Sequence, residues 1–485
     1  MEYIFPNPNE KICIVKGKDD NDNIHSGKKL SITSPLYKKI IRELEFPFHQ
    51  SVIKLSQCTR NLMKDTIGPN VLFLSNTEGG FANCGLRLIE EDKSVDYPHL
   101  NYVDLVIDEE SLNDGKLDIF SHELGHVMME NILKNFPLSN SSKQHVSMGI
   151  TDYFMAFNEG WAIHFEKLTH NSISYYKELN NVKYSYDRDI YKLWQCHADT
   201  ELRLKGVLDN AYIHNKLLPE AYKFNLNIAD TIILEHTSTI FDKTKLKNSQ
   251  QMLSCEGVIA TLFYRISTNE TIQNNYLSKD FYNNFLISNI NDETEVKELF
   301  TSFENVMLKT FWTWYKIKDS LNEDSIPFIE FIKMWCECFP QDKQELLILF
   351  ISTTVGKTIS NDLSEIYEKA AYDGMVGKLH PFVETLKEYK KAYNNLCHMI
   401  ENGDIAIDKN IGKELWIENT HVKIPKYFWL KEEMIPLKVN LNTVSLYDLM
   451  SFPKITLEKA TEILNERTKK GYFKAVEEVG LEYFI

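Results

Sequence analysis

The chain has 485 residues, of which 43% are hydrophobic and 25% charged, and its formal net charge is −15. That is a globular composition with ample core for about two to four domains, and its acidity makes nucleic acid a poor general partner because phosphate is repelled. The start MEYIFPNPNEK lacks a basic segment followed by an apolar run, the longest apolar stretch lies near Leu346–Ile351, and the eight cysteines show no framework spacing beyond the C-E-C of Cys336 and Cys338, so a cytoplasmic protein with no signal and no membrane span is expected.

In chain order, Asn70–Ser75 (NVLFLS) and Tyr102–Asp108 (YVDLVID) are rich in Val, Leu and Ile and predict short strands. Gly79 and Gly80 between them signal a turn. A helical pattern begins at Leu117 and is expected to end by Pro137 and the Leu138–Ser142 cluster. A second helix is expected over Asp152–Leu168. Helical patterns then dominate from about residue 175 to 430, with Glu256–Ile266 and Asp362–Tyr372 as examples. Pro425 and Pro436 suggest a linker, and the last 48 residues, from Lys438, change character again.

The strongest signal is Ile119–Met128, IFSHELGHVM. On a helix, His122 and His126 are four positions apart and face the same side, so both imidazoles can bind one metal ion. Glu123 is rotated away from them and can reach a metal-bound water without being a ligand, as a catalytic base must. Gly125 is expected to leave room beside the metal. Zinc in a hydrolase takes three protein ligands and keeps one open position. The third is expected from Phe157–Glu166, FNEGWAIHFE, where Glu159 lies 33 residues beyond His126. Glu159 is preferred because its apolar neighbours Phe157, Trp161, Ala162 and Phe165 predict a buried helix, on which a carboxylate needs a partner. His164, Glu166 and His145 are the rivals.

These residues resemble the aminopeptidase N-like gluzincins, whose pattern is HExxH followed by N-E-G-F-A-x-x-x-E. The resemblance makes His122, His126 and Glu159 the zinc ligands and puts Glu166 where that family also has an acid. The gap between the motifs is longer than the family's and implies an insertion near Leu138–Met148. Upstream, Gly79–Leu86 (GGFANCGL) is similar to the family's G-A-M-E-N-W-G-L, an edge strand on which the substrate backbone docks. The match covers Gly79, Asn83, Gly85 and Leu86. It makes Gly79, Gly80 and Asn83 candidate substrate-binding residues. Ala82 stands where the family has the Glu that grips a free α-amine. The family's oxyanion Tyr, in a Y-E-K-G-A context, has no counterpart in Ser254–Ala260 (SCEGVIA), and Tyr264, Tyr212 and Tyr222 are the substitutes considered. The resemblance spans about residues 70–265 and is specific around the zinc site.

Val439–Val479 resembles the helix-hairpin-helix modules of competence-type DNA-binding proteins, through Asn440, Asn442, Thr443, Ser445, Leu449, Pro453, Ile455, Ala460, Ile463, Arg467, Gly471 and Phe473. The hairpin glycines that let backbone amides approach a phosphate are Lys454 and Thr456 here. Lys438–Ile485 holds seven basic and seven acidic residues, so a packing or protein-docking role is favoured over DNA binding.

The fold class implied is α+β: a thermolysin-like zincin catalytic domain over 1–270, a mainly helical domain over 271–430 and a helix-hairpin-helix module over 438–485. The expected function is zinc-dependent hydrolysis of a peptide or protein, as an endopeptidase more than an aminopeptidase. The alternatives are a non-catalytic zincin-fold interaction protein and a protease acting on DNA-associated proteins.

Overall fold

The structure, a computed structural model, describes residues 2–7, 11–18, 24–65, 68–76, 80–90, 93–109, 112, 116–141, 145, 149–173, 200–217, 240–425 and 432–480. Five strands near the N-terminus, β1 (Cys13–Lys18), β2 (His25–Lys29), β3 (Val71–Leu74), β4 (Gly80–Glu90) and β5 (Lys93–Leu105), close into a small barrel in the order β1-β2-β4-β5-β3. Side chains alternate along these strands. Val71 and Phe73 join Val15, Leu86 and Tyr102 in the cluster inside the barrel, while Leu72 and Leu74 face the main core. This two-sided burial is why VLFL is apolar throughout.

The strand β4 has two halves. Gly85 has φ +89°, in the left-handed region that glycine tolerates, and it sits at a break in register between Cys84 and Leu86. Beyond the break, Leu86–Ile89 pairs with β2 on one side and with β5 on the other. Before it, Gly80–Cys84 pairs with β5 alone among the described residues. That leaves one edge of Gly80–Cys84 without a described strand partner.

Helices α1 (Pro35–Leu44) and α2 (Pro47–Leu62) precede β3, and α3 (Phe120–Ile132) and α4 (Tyr153–Ser172) follow β5. The helix α3 stops at Ile132, short of Pro137, because Leu133 leaves helical geometry and its N–H closes onto the Met129 carbonyl. The helix α4 is capped by Asp152, whose carboxylate accepts from the Phe154 and Met155 amides at 2.9 and 2.8 Å. Next come α5 (Thr200–Leu208), α6 (Glu256–Thr268), α7 (Ser302–Ile317), α8 (Pro327–Cys338), α9 (Lys343–Thr354), α10 (Asn361–Met375) and α11 (Leu379–Glu401). No boundary near residue 270 divides the core. A single hydrophobic cluster runs from Ile4 to Ile407, and Phe157 of α4 meets Trp314 of α7 and Phe328 and Phe331 of α8 at ring distances of 6.2–6.3 Å. No helix among the described residues is long and apolar enough to cross a membrane.

The segment around Pro425 and Pro436 is paired strand rather than linker. Trp416–Pro425 and Glu432–Asn440 form an antiparallel pair with Val422 opposite Ile435. Ile417, Leu437 and Val439 join Leu449, Ile455, Ala460, Ile463 and Phe473 in a second core, so the C-terminal module takes in this hairpin as well as its two helices α12 (Leu446–Met450) and α13 (Leu457–Lys470). Its motif residues hold the module together. The Asn442 side chain donates to the Phe473 carbonyl and accepts from the Phe473 amide, and Arg467 donates to the Leu441 and Val444 carbonyls. The module is docked by Asn248, which donates to the Asn442 carbonyl at 2.8 Å, and by Gln251, which donates to the Thr443 carbonyl at 2.8 Å.

Candidate metal centre

Small residues let three helices close on one another here. A Cβ on Gly125 would lie 3.0 Å from the Phe165 ring and 3.4 Å from the Ala162 Cα. Gly125 therefore serves the close contact of α3 with α4, which the Trp161 indole pins by donating to the Gly125 carbonyl at 2.9 Å. It does not clear space for the metal as the sequence suggested. On the other face of α4, a Cβ on Gly160 would lie 2.6 Å from Ile259 Cβ and 2.8 Å from the Glu256 carbonyl oxygen. That contact brings the start of α6 against α4, beside Glu159.

His122 and His126 from α3 converge with Glu159 from α4. The two Nε2 atoms are 3.2 Å apart, and the Glu159 Oε2 is 3.7 Å from that of His122 and 3.6 Å from that of His126. Donors about 2.0–2.1 Å from one tetrahedral zinc stand roughly 3.3 Å apart, so the three groups have the chemistry and the spacing to hold such an ion. The far side of each imidazole faces a side chain: the His122 Nδ1 lies 2.6 Å from the Glu166 Oε1, and the His126 Nδ1 hydrogen-bonds the Asn158 Oδ1 at 3.0 Å. A partner on Nδ1 orients the ring so that Nε2 is the nitrogen offered to a metal ion. Glu166 is itself paired with Arg203 of α5.

Of the rival ligands, His164 is fully buried against the Trp161 carbonyl and ring, away from the triad. Glu166 stands behind His122. His145 approaches the triad from the connection between α3 and α4, with its Nδ1 3.8 Å from the Glu159 Oε2. Glu123 is buried and turned from the ligand cluster toward β4, where a Cβ on Gly80 would come within 2.9 Å of its Oε1. Gly80 thus brings the half of β4 that pairs with β5 alone among the described residues against the proposed base.

The other expected site residues are distributed differently. Gly79 lies outside the described residues. The Asn83 amide donates to the Asp104 carboxylate at 3.0 Å, so its side chain is committed to the neighbouring strand β5. Gly80 and Ala82 share the opposite face by the two-residue period. The Tyr212 hydroxyl donates to the Arg203 carbonyl, the Tyr264 hydroxyl accepts from Asn171, and Tyr222 is outside the described residues. Sequence reasoning gave no role to Asn158, Arg203 or Glu256. Asn158 was visible only as the neighbour of Glu159, and nothing local marks Arg203, which arrives from a separate helix.

Burial pushes the Glu123 carboxyl above its usual range, with the Glu159 and Glu166 charges adding to it and the two histidines opposing. Burial lowers and the Glu159 charge raises the His126 pKa, and the net result is a rise to about 9. Glu159 is held low: burial raises it, and the His126 and His145 charges outweigh that. Metal binding needs a neutral imidazole. The metal-free protein should therefore release a proton from His126 on taking up zinc at pH 7. Apparent zinc affinity should rise by about tenfold per pH unit and level off near pH 9. A competition titration with a zinc-sensitive dye between pH 6 and 8 would give a flat profile if His126 is already neutral.

No protein-family model, curated protein or solved structure matches the chain. What the site can do is therefore argued from its own groups.

Proposed function

We propose that the protein is a zinc-dependent peptidase that hydrolyses peptide bonds, with His122, His126 and Glu159 as ligands and Glu123 as base. The observation that supports this is the convergence of two imidazoles and one carboxylate beside a second, buried acid, Glu123, that lies outside the cluster. When bound there, zinc supplies a Lewis acid that lowers the pKa of water and polarises a carbonyl. Glu123 takes the proton of the attacking water and delivers it to the leaving nitrogen. Its raised pKa suits that return, because a base nearer neutrality is also a competent acid. The edge of Gly80–Cys84 can take an extended peptide by main-chain hydrogen bonds, which would place a scissile bond beside Glu123.

The ligand set is tested by metal analysis. Glu159→Ala should lose most of its zinc, whereas His164→Ala should keep a full equivalent. The opposite pattern would remove Glu159 from the site and this function with it.

Endopeptidase action is favoured because Ala82 offers no charge on the face of β4 that it shares with Gly80. N-acetylated peptides should be cleaved at least as fast as the same peptides with a free amine. Of the acids near β4 that could supply such a charge, Glu78 lies outside the described residues, and Glu90, at the far end of the strand, is paired with Lys29 at 2.6 Å. A strong preference for free amines in a paired-substrate assay would require another carboxylate at the site.

A further inference from the structure

Among the described residues Tyr212 and Tyr264 are engaged elsewhere, so the peptidase reading still needs a donor for the oxyanion. We propose that His145 donates a hydrogen bond to the oxygen of the scissile carbonyl and that Glu256 positions its ring; the inference rests on the peptidase reading above. His145 stands between two acids. Its Nδ1 is 3.8 Å from the Glu159 Oε2 and 3.9 Å from the Glu256 Oε1. Glu256 is buried and the Glu159 side chain is only 12% exposed, yet the His145 side chain is 55% exposed. Nδ1 is thus the ring nitrogen that faces both acids, on a side chain more than half open to solvent.

Glu256 is 1% exposed, and its Oε1 has no hydrogen-bond partner among the described residues. A buried carboxyl left so is costly unless a partner closes on it. The His145 ring stands within 4 Å of that oxygen, with Nδ1 3.9 Å away. Contacts of this kind are often long without substrate and shorten in the complex. The close approach at Gly160 builds the arrangement into the packing of α6 on α4.

In the reaction, the water oxygen bonds to the carbonyl carbon, its proton goes to Glu123, and the π electron pair moves to the carbonyl oxygen. The Nε2–H of His145 hydrogen-bonds that oxygen and keeps its proton, while Nδ1 faces Glu256. The π bond then reforms, the C–N bond breaks, and Glu123 protonates the nitrogen. Donors aimed at developing charge are worth about 10²–10³ in turnover.

The test uses the full chain with a blocked fluorogenic peptide, zinc analysis, melting temperature and the inhibition constant of a phosphinic peptide. His145→Ala should keep its zinc and its melting temperature. It should lose about 10²–10³ in kcat, with KM changed by less than about threefold and phosphinate affinity falling in parallel. Glu256→Gln should lose about tenfold in kcat, and Glu256→Asp should recover part of it. Loss of zinc in His145→Ala would make that residue a ligand and overturn the proposal. So would a free-amine preference abolished by Glu256→Gln and untouched by His145→Ala, which would make Glu256 an amine anchor. An active wild type beside an undiminished His145→Ala sinks this inference alone. A wild type that neither binds zinc nor cleaves peptide sinks it together with the peptidase reading.

Discussion

Glu123→Gln is expected to bind zinc as the wild type does and to lose about 10²–10⁴ in turnover. The side chain is buried and lies outside the three-ligand cluster, so an amide of the same shape leaves the ligands where they are. The neighbouring Gly80 provides the close fit that an isostere respects and a larger group would not. What the substitution removes is the ability to accept and return a proton. The burial that raises the Glu123 pKa above the usual carboxylate range brings it closer to the pH at which acid and base forms are both present. Steady-state turnover and zinc content measured on the same preparation decide the matter. Full turnover in a zinc-loaded Glu123→Gln would exclude the mechanism, and loss of zinc would show that Glu123 is a ligand.

The largest effect on stability is expected from Asp342→Ala. Lys309 of α7 and Asp342 are both fully buried and 2.8 Å apart. Asn275 donates to one Asp342 oxygen at 2.7 Å, and the Trp335 indole lies 3.4 Å from the other. Lys309 also donates to the Ile272 carbonyl, and burial already lowers its pKa. Removing one partner of such a pair leaves an uncompensated charge inside and costs about 3–5 kcal/mol. That is roughly 10²–10⁴ in the folding equilibrium and a large share of the total stability of a domain. Urea denaturation should show the midpoint fall with an unchanged slope, since the same surface is exposed on unfolding. Replacing both residues by apolar ones, Lys309→Met with Asp342→Leu, should recover much of the loss, because the desolvation cost disappears together with the pair. A single Asp342→Ala within about 1 kcal/mol of wild type would mean that water reaches Lys309.

Some of this protein was legible in one dimension because its physical cause is local. The spacing of His122 and His126 places two imidazoles on one helical face whatever the surroundings, and the apolar run VLFL marks a strand covered on both sides. Asp152 announces the start of α4 through a cap that involves only its own next three residues. The choice of Glu159 over His164 was legible in part, since both lie on one apolar helix. Their directions differ, and only the packing of α3 on α4 through Gly125 makes Glu159 the one that meets the histidines.

The rest was decided by contacts between segments far apart in the chain. Arg203 behind Glu166, Glu256 beside His145 and Asp342 beneath Lys309 are pairings of groups that carry no mark of each other in sequence. The hairpin around Pro425 and Pro436 looked like a linker because proline weakens local strand signals, yet two chain segments in register absorbed both. The expected division near residue 270 vanished for a related reason: Phe157 and the rings of α7 and α8 bury one another, and hydrophobic burial is indifferent to sequence separation. The sequence by itself determined the types of the candidate ligands and the helix that carries two of them. The tertiary structure alone decided which acids stand near that helix, because burial and charge act through space.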